Sequence, residues 1–386
     1  MISPVTPRSI ILFVILALGL SGCGSMKNTA TPTAQSTSLA FVTNSGSGTV
    51  SAFMINSNGA LSPITGSPFA AGAGAEFMAF DPVHKLLLVS NQIANSLSAF
   101  SVNTASGMLT AVPGSPFTTG SRPTAVAVDS AGRFVFVANQ AGNSIAVFSI
   151  GSNGVLIPVA GSPFAASSPY GLSVNPSGSV LYATNFPDTQ ISDLNTVSAF
   201  SVASTGTLSA VTGSPFADAN STSGFASGIS ILADPSGKFV FVGDHMAESV
   251  VPFNVNPASA ALTPASALPT PATTCGTSCH NNPLRLAVDP ADKFLFSTNV
   301  QAGTVSVFNI NAGNLTSIAD VPTGAHPFGV AIDPTGHFLY VVNKADSTIS
   351  GFALNSATGA LTPISGFPMN EGGNAPTDIV IVPMTM

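Results

Sequence analysis

Along most of the chain, short apolar runs alternate with breaks made of Asn, Gly, Asp, Ser and Pro. A representative stretch reads Ala125-Val126-Ala127-Val128, then a turn, then Phe134-Val135-Phe136-Val137, then Ser144 to Ile150, then a run beginning near Leu156. Runs this short, rich in Val, Ile and Phe and bounded by turn residues, predict strands rather than helices. The expectation is therefore an all-β fold.

The pattern recurs. Gly-Ser-Pro-Phe occurs at 66–69, 114–117, 161–164 and 213–216, with a degraded copy near Gly366-Phe367-Pro368, which sets a period of about 48 residues. A second marker, Asp-Pro or a near relative, follows a strand at Asp81-Pro82, Asp129-Ser130, Asn175-Pro176, Asp234-Pro235, Asp289-Pro290 and Asp333-Pro334. A third is a strand ending in Asn, at Asn44, Asn91, Asn139, Asn185, Asn299 and Asn343, with Gly243-Asp244 standing in once. Four strands in each such unit is the pattern of a β-propeller blade, and seven copies of the third marker predict seven blades. The innermost strand of a blade is buried on both sides, which explains small apolar runs without polar alternation. The chain opens at Leu39 in a second strand, so blade 1 lacks its innermost one; Thr377 to Val382 has the character to supply it and close the ring. The propeller is expected over residues 39–386.

Strands such as Phe136-Val137-Ala138-Asn139 and Tyr340-Val341-Val342-Asn343, the latter followed by Ser-Thr-Ile-Ser at 347–350, resemble the YVTN-type repeats of the seven-bladed lactonase-like propellers, a superfamily that includes the 6-phosphogluconolactonases. The resemblance spans residues 39–382 and specifies a fold rather than a chemistry. It implies His, Arg and Glu side chains near the central channel, placed to polarise a lactone carbonyl, position water and hold phosphate. The chain departs from that pattern. Where a Pro-Arg-His-like element belongs it has Ala325-His326-Pro327-Phe328; a His-rich element reduces to His280-Asn281-Asn282-Pro283; and Lys344 stands where an Asn-Glu would place glutamate. His280 and His326 are the remaining candidates for catalysis.

The first residues change the picture of where the protein works. Arg8, the apolar run Ser9 to Leu20 and the ending Leu20-Ser21-Gly22-Cys23 read as a lipoprotein export signal over 1–22, with Cys23 as the lipidated residue. The apolar run is short for a membrane span of about twenty residues. Residues 23–38 read as a flexible tether rich in Ser, Thr and Ala. The expected location is the outer side of a bacterial membrane, periplasmic or extracellular, with a monomer held by lipid.

Composition narrows the partners. Only 6% of residues are charged, Trp is absent, and nine Lys or Arg face sixteen Asp or Glu for a net charge of −7. No basic stripe is available for nucleic-acid phosphates. Lys85, Arg133, Lys238 and Lys293 fall in tight turns, leaving Arg122, Arg285 and Lys344 as cations for an anionic ligand, scattered along the chain and a poor phosphate clamp.

Enlarged loops give the other lead. Asn185–Thr196 carries Asp188 and Asp193, Ala217–Ser227 carries Asp218, and Leu268–Pro283 carries Cys275, Cys279 and His280, with Asp244, His245 and Glu248 in a neighbouring link. Asp188, Asp193, Asp218, Asp244, His245, Glu248 and Arg285 are candidates for a polar-ligand or divalent-cation site, against the alternative of solvated carboxylates on surface loops. Cys275 and Cys279 suit a disulfide outside the cytoplasm. Their run with His280 also resembles a lengthened c-type haem attachment motif, but three residues between the thiols instead of two argue against haem, and no cofactor is expected. The ranking that follows places binding of a protein, glycan or small polar ligand first, hydrolysis of a lactone or ester second, and a structural cell-envelope role third.

Overall fold

The computed structural model describes residues 36–186, 196–217, 228–245, 247–265, 268–269 and 282–385. Among them there is no helix; the apolar runs form seven antiparallel sheets, each with its strands in chain order from the inside outward. Blade 3 is typical: Pro123–Val128 lies innermost, followed by Phe134–Asn139, Ser144–Ile150 and Leu156–Pro158. Blade 1 is the exception in connectivity. Its innermost strand is Pro376–Pro383, which pairs antiparallel with Ser36–Asn44 in the register Leu39 to Val382, Phe41 to Val380 and Thr43 to Asp378. The expected ring closure is present, with the first strand beginning at Ser36, three residues before the anticipated start.

Seven apolar clusters hold the ring, one at each junction between blades. Blades 3 and 4 meet through Phe136, Val147, Leu181 and Phe200, and blades 7 and 1 through Tyr340, Ile349, Val42 and Phe53. Each blade thus has two apolar faces, which is why the second strands are buried along their whole length, as in Phe134–Asn139. Burying one such Phe contributes roughly 2–3 kcal/mol.

Three repeated side chains explain the sequence markers. The Asp of the first link caps a tight turn: Asp289 Oδ1 accepts the N–H groups of Lys293 (2.7 Å) and Phe294 (2.6 Å), and Asp333 Oδ1 those of His337 and Phe338, both at 2.7 Å. The Asn ending each second strand reaches the third strand, as Asn299 Nδ2 does to Thr304 Oγ1 (2.9 Å) and Ser306 Oγ (2.7 Å). In blade 3 the oxygen of this Asn also takes the loop that approaches its own blade, Gly120 N–H donating to Asn139 Oδ1 at 2.9 Å. Glycine is required there, since a Cβ on Gly120 would sit 2.7 Å from the Asn139 amide.

Gly-Ser-Pro-Phe splits the outermost strand into two short pieces, so that most blades carry a fourth strand in two segments instead of one. The Ser-Pro peptide is cis in all four copies. The serine oxygen replaces the missing strand partner, Ser115 Oγ accepting Ala99 N–H at 2.9 Å and Ser162 Oγ accepting Val147 N–H at 2.8 Å. The Phe enters the junction cluster with the following blade, Phe117 between blades 2 and 3 and Phe164 between blades 3 and 4. Blade 6 lacks the motif and keeps one continuous outer strand, Asn314–Pro322.

Two first turns depart from the repeat. Blades 3, 4, 5 and 7 place Gly132, Gly178, Gly237 and Gly336 at a left-handed position, whereas blade 2 has Lys85 in its turn with φ 56° and blade 6 has Asp292 with φ 55°. Burial first, then the charge of Asp234, a hydrogen bond to it and the charge of Asp289, push the Asp292 carboxyl up to about 6. A carboxyl whose pKa is raised by folding favours the native state while protonated, and that contribution is lost as pH rises from the unfolded value through about 6. Asp292→Asn is therefore expected to raise the melting temperature at neutral pH and to have no effect near about pH 4. Equal shifts at both pH values in thermal unfolding would show that folding does not raise the Asp292 carboxyl.

Candidate active site at the channel mouth

All seven innermost strands carry a register irregularity at their N-terminal end, between Ala75 and Met78 in blade 2, Pro169 and Leu172 in blade 4, Pro283 and Leu286 in blade 6, and equivalently elsewhere. A bulge re-aims the side chains it carries. Here the bulged residues include Glu76, Phe77, Tyr170, Arg285, Phe328 and Thr377, all at the end of the ring where the enlarged loops attach. Hydroxyls just before the strand-ending Asn hold these bulges. Thr298 Oγ1 accepts Arg285 N–H (3.1 Å) and donates to Phe328 O in the next blade (2.7 Å), while Thr43 and Thr377 both donate to Glu76 O, at 2.9 and 2.7 Å.

The floor of the mouth is an aromatic and charged layer. The Arg285 guanidinium lies 3.8 Å above the Phe77 ring, and its Nη2 is 3.7 Å from Asp378 Oδ2, which also accepts Met78 N–H at 3.0 Å. Phe77 meets Tyr170 edge to face at 6.0 Å, and Tyr170 meets Phe186 at 5.5 Å. Lys344 Nζ stands 4.3 Å above the Phe328 ring. A cation over an aromatic face in a partly desolvated site gains about 1–2 kcal/mol while keeping its charge directed at a neighbour.

Glu76 is the carboxyl on which these charges act. It is 8% exposed. Burial pushes its pKa up; the positive charges of Lys344 and then Arg285 pull it back down, Asp378 pushes it up again, and Arg122 adds the smallest downward pull. Tyr170 is driven up to about 12 by burial and then by the Glu76 charge. Asp378 is likewise raised by burial, opposed by Arg285 and by the N–H groups of Met78 and Ile379. Buried polar atoms at this end of the ring without a hydrogen-bond partner among the described residues include Arg285 Nε, Gln140 Oε1, His245 Nδ1 and the Oδ1 atoms of the strand-ending Asn91 and Asn299. Such atoms mark places where water or a ligand completes the hydrogen bonding. A desolvated carboxylate whose charge is favoured by cations can take a proton from water, and a guanidinium such as that of Arg285 can stabilise a developing oxyanion.

The sequence-derived candidates divide. Arg285 is in the floor, and Arg122 and Lys344, distant in sequence, act with it on Glu76; the three cations that look scattered along the chain are gathered by the ring. Asp244 takes the position of the strand-ending Asn in blade 5, fully buried, accepting Ala247 N–H at 3.0 Å. His245 follows it at the same repeat position as Lys344. Its ring bonds the Asn282 backbone carbonyl, and burial lowers its pKa against the upward pull of Asp244, that bond and Glu248. Glu248 sits half-buried in the adjacent link with φ 53°. His326 is exposed at the rim in a left-handed conformation and contributes its carbonyl, which accepts Lys344 N–H at 2.9 Å. Cys23, Asp188, Asp193, Asp218, Cys275, Cys279 and His280 lie outside the described residues. Among the described residues no group of three or more His, Cys, Asp or Glu is placed to hold a metal ion.

Sequence reading missed Glu76, Asp378, Phe77 and Tyr170. A signal existed. Apart from Asp81 at the far end, Glu76, Arg285 and Asp378 are the only charged residues in the seven innermost strands, where the repeat otherwise carries small or apolar residues.

A family model described as lactonase, 7-bladed beta-propeller, matches residues 29–211, 193–312 and 266–374. No curated protein sequence matches the chain. Among solved structures, a Bacteroides uniformis protein provisionally assigned as a 6-phosphogluconolactonase is similar at 20% identity and TM-score 0.77, covering 90% of this chain and 100% of its own. The periplasmic gluconolactonase of Pseudomonas aeruginosa is similar at 17% identity and TM-score 0.75, covering 91% and 100%. Hydrazine synthase of Kuenenia stuttgartiensis reaches TM-score 0.58 at 16% identity, covering 86% and 99%. Propellers of this shape thus bear names from unrelated chemistries, and likeness at these identities establishes the fold alone.

Removing Asp378 should leave the Arg285 guanidinium desolvated without its carboxylate. Asp378→Ala is expected to lower stability by about 2–3 kcal/mol in denaturant unfolding, much of it recovered in the Asp378→Ala, Arg285→Met double variant. Strict additivity of the two changes would show that the pair is not coupled.

Proposed function

From the premise that the chain belongs to the seven-bladed β-propeller lactonase family, we propose that it hydrolyses a lactone at the channel mouth, with Glu76 as the proton-transferring group. The observation that carries this reading is the nearly buried Glu76 in the bulge beside Phe77, over whose ring the Arg285 guanidinium lies at 3.8 Å, with the charges of Lys344, Arg285 and Arg122 opposing the upward push of burial on the Glu76 carboxyl. Burial makes the Glu76 carboxylate a stronger base than one in water, while the cations favour its ionised form. It takes a proton from water as the water oxygen attacks the lactone carbonyl carbon. Arg285, stacked on Phe77 and with Nε still unpartnered among the described residues, is placed to receive the negative charge that develops on the carbonyl oxygen. Collapse breaks the ring C–O bond, and the departing oxygen takes the proton from Glu76. Phe77, Tyr170 and Phe328 supply apolar surface for the face of a small ring.

Binding without turnover is the second reading. It is favoured by Lys344 standing where the family resemblance implies a glutamate, and by the exposed His326 side chain. On either reading the protein works outside the cytoplasm, held by lipid on Cys23, as the Leu20-Ser21-Gly22-Cys23 sequence supports. The name of the periplasmic gluconolactonase is consistent with lactone chemistry in that compartment.

Two outcomes are expected. Purified protein should open at least one member of a panel of uncharged five- and six-membered lactones, and Glu76→Gln should lower kcat/KM about 100-fold or more while the variant still unfolds cooperatively. Turnover unchanged by Glu76→Gln would remove Glu76 from the reaction, and no turnover across the panel would leave the binding reading. Separately, the mature protein should partition into detergent with a diacylglyceryl mass on its first residue, and Cys23→Ala should abolish both. A soluble, unmodified mature protein would contradict lipid anchoring.

A further inference from the structure

We propose that Glu371 carries a proton in the folded chain and donates it to Asn44 Oδ1, so that the loop leading into the closing strand is latched by a carboxylic acid and loosens when that proton is lost. The latch stands whether or not the mouth hydrolyses a lactone.

Asn44 departs from the repeat at the point where the ring closes. In the other blades that end the second strand in Asn, its Nδ2 turns to third-strand hydroxyls, as Asn91 does to Ser98 (2.8 Å), Asn185 to Thr196 (2.8 Å) and Asn343 to Ser350 (2.9 Å). Asn44 in the same orientation donates to Thr49 Oγ1 at 3.2 Å and Ser51 Oγ at 2.9 Å. Its oxygen is then left without an N–H. In blades 3 and 7 the glycine three residues before the inner strand supplies one, Gly120 to Asn139 Oδ1 at 2.9 Å and Gly324 to Asn343 Oδ1 at 3.1 Å. In blade 1 the corresponding Gly373 N–H goes to the Glu371 carboxyl instead, and Asn44 Oδ1 lies 2.8 Å from Glu371 Oε2. Two oxygens at that separation need a hydrogen between them.

Two arrangements meet the requirement: either Glu371 is ionised and the Asn44 amide is turned over to offer Nδ2, or Glu371 is protonated and donates to Oδ1. The protonated form gives every hydrogen its own acceptor. Glu371 donates to Asn44, Asn44 to Thr49 and Ser51, and Ser51 to Glu371 Oε2 at 3.1 Å. In the turned form Asn44 Oδ1 and the carboxylate compete for the single Ser51 proton. Burial acts in the same direction. Glu371 is 2% exposed, and burial pushes its pKa up against weaker downward pulls from Ser51 and the Gly373 N–H. Packed on it are Asn44 and Ser51 of blade 1, Gly373 of its own loop and the Ser347 carbonyl of blade 7, which accepts Glu371 N–H at 3.4 Å. None of these titrates. In the same blade 7 link Asp346 is turned to Ala325 N–H at 2.6 Å and Lys344 to the Phe328 ring, and no charged group among the described residues acts on Glu371. A buried carboxylate without a cation is strongly disfavoured.

The position of the proton gives it a consequence. Ser45 N–H, Ser45 Oγ and Gly46 N–H tie the loop at Ala375 and Asn374 to the end of the blade 1 second strand, each at 3.1 Å. The strand that follows carries Thr377 and Asp378, which hold Glu76 O and Met78 N–H. Losing the proton breaks the Glu371 to Asn44 bond and obliges the amide to turn. Because folding favours the protonated acid, its stabilisation is complete below the ordinary glutamate range and is lost as pH rises through the raised folded value.

The test is an NMR titration of full-length protein from about pH 3 to about pH 9, with labelled glutamate carboxyls and asparagine side-chain amides. The Glu371 signal, assigned by its loss in Glu371→Gln, is expected to titrate with a midpoint above the ordinary glutamate value. The Asn44 amide signals, assigned through their contacts with Thr49 and Ser51, should move with that same midpoint. Glu371→Gln keeps a donor for Asn44 Oδ1, so it should hold the Asn44 signals constant and melt above the native protein at about pH 8, the gain shrinking toward acid pH. If that variant does not fold, Glu371 is assigned by elimination with Glu76→Gln and Glu248→Gln, and the two native titrations decide. A Glu371 midpoint at or below the ordinary value, Asn44 signals indifferent to the Glu371 titration, or a folded Glu371→Gln that melts no higher at about pH 8 would each overturn the proposal.

Discussion

The antiparallel pairing of Leu39–Asn44 with the C-terminal strand Pro376–Pro383 joins the two ends of the chain into one blade, and that pairing forces the remaining six to stand around a common axis. Without it, blade 1 would present an unpaired inner edge, and the apolar clusters at the junctions of blades 7 and 1 and of blades 1 and 2 would lose one wall. With it, the bulged ends of seven innermost strands are brought to the mouth of one channel. Glu76, Arg122, Arg285, Lys344 and Asp378 span most of the sequence, yet they act on one another's charge because the ring is closed.

The same repeat that builds the scaffold also sets the precision of the site. A hydroxyl before the strand-ending Asn is a structural device, tying the bulge of one blade to the next, as Thr298 does between Arg285 and Phe328. At Thr43 it fixes the backbone of Glu76, joined by Thr377 from the bulge of the blade 1 inner strand. Function is therefore mounted on hydrogen bonds that serve the fold in other blades, where the corresponding bulges carry Ala125, Gly171 or Gly329. Only the side chains differ. This is how one propeller shape serves unrelated chemistries without rebuilding its frame.

The fold was legible because each blade states it again: the Asp turn, the strand-ending Asn and Gly-Ser-Pro-Phe each do the same local work several times over, and the missing inner strand of blade 1 pointed to its replacement at the C-terminus. The site was legible only in part. Arg285, Arg122 and Lys344 were recognisable as the cations not used in turns, but their convergence depends on ring closure, which spacing along the chain does not reveal. Glu76 and Asp378 lay unnoticed inside innermost strands because those strands read as core. Histidines drew attention by family resemblance, yet the His326 side chain sits at the rim and its carbonyl, not its ring, is bonded. Asp244 drew attention by charge and proves to occupy the position of the repeat's strand-ending asparagine.

The convergence of the cations on Glu76 can be measured without any ligand. The chain has three glutamates, Glu76, Glu248 and Glu371, so carbon-13 labelling of glutamate side-chain carboxyls gives three signals, with Glu76 assigned by its loss in Glu76→Gln. Following that signal through a pH titration should show a midpoint above the ordinary glutamate value that moves further upward in Arg285→Met and in Lys344→Met, because each change removes a charge that favours the ionised form. A midpoint at the ordinary value, or one indifferent to both substitutions, would contradict a carboxylate buried among gathered cations.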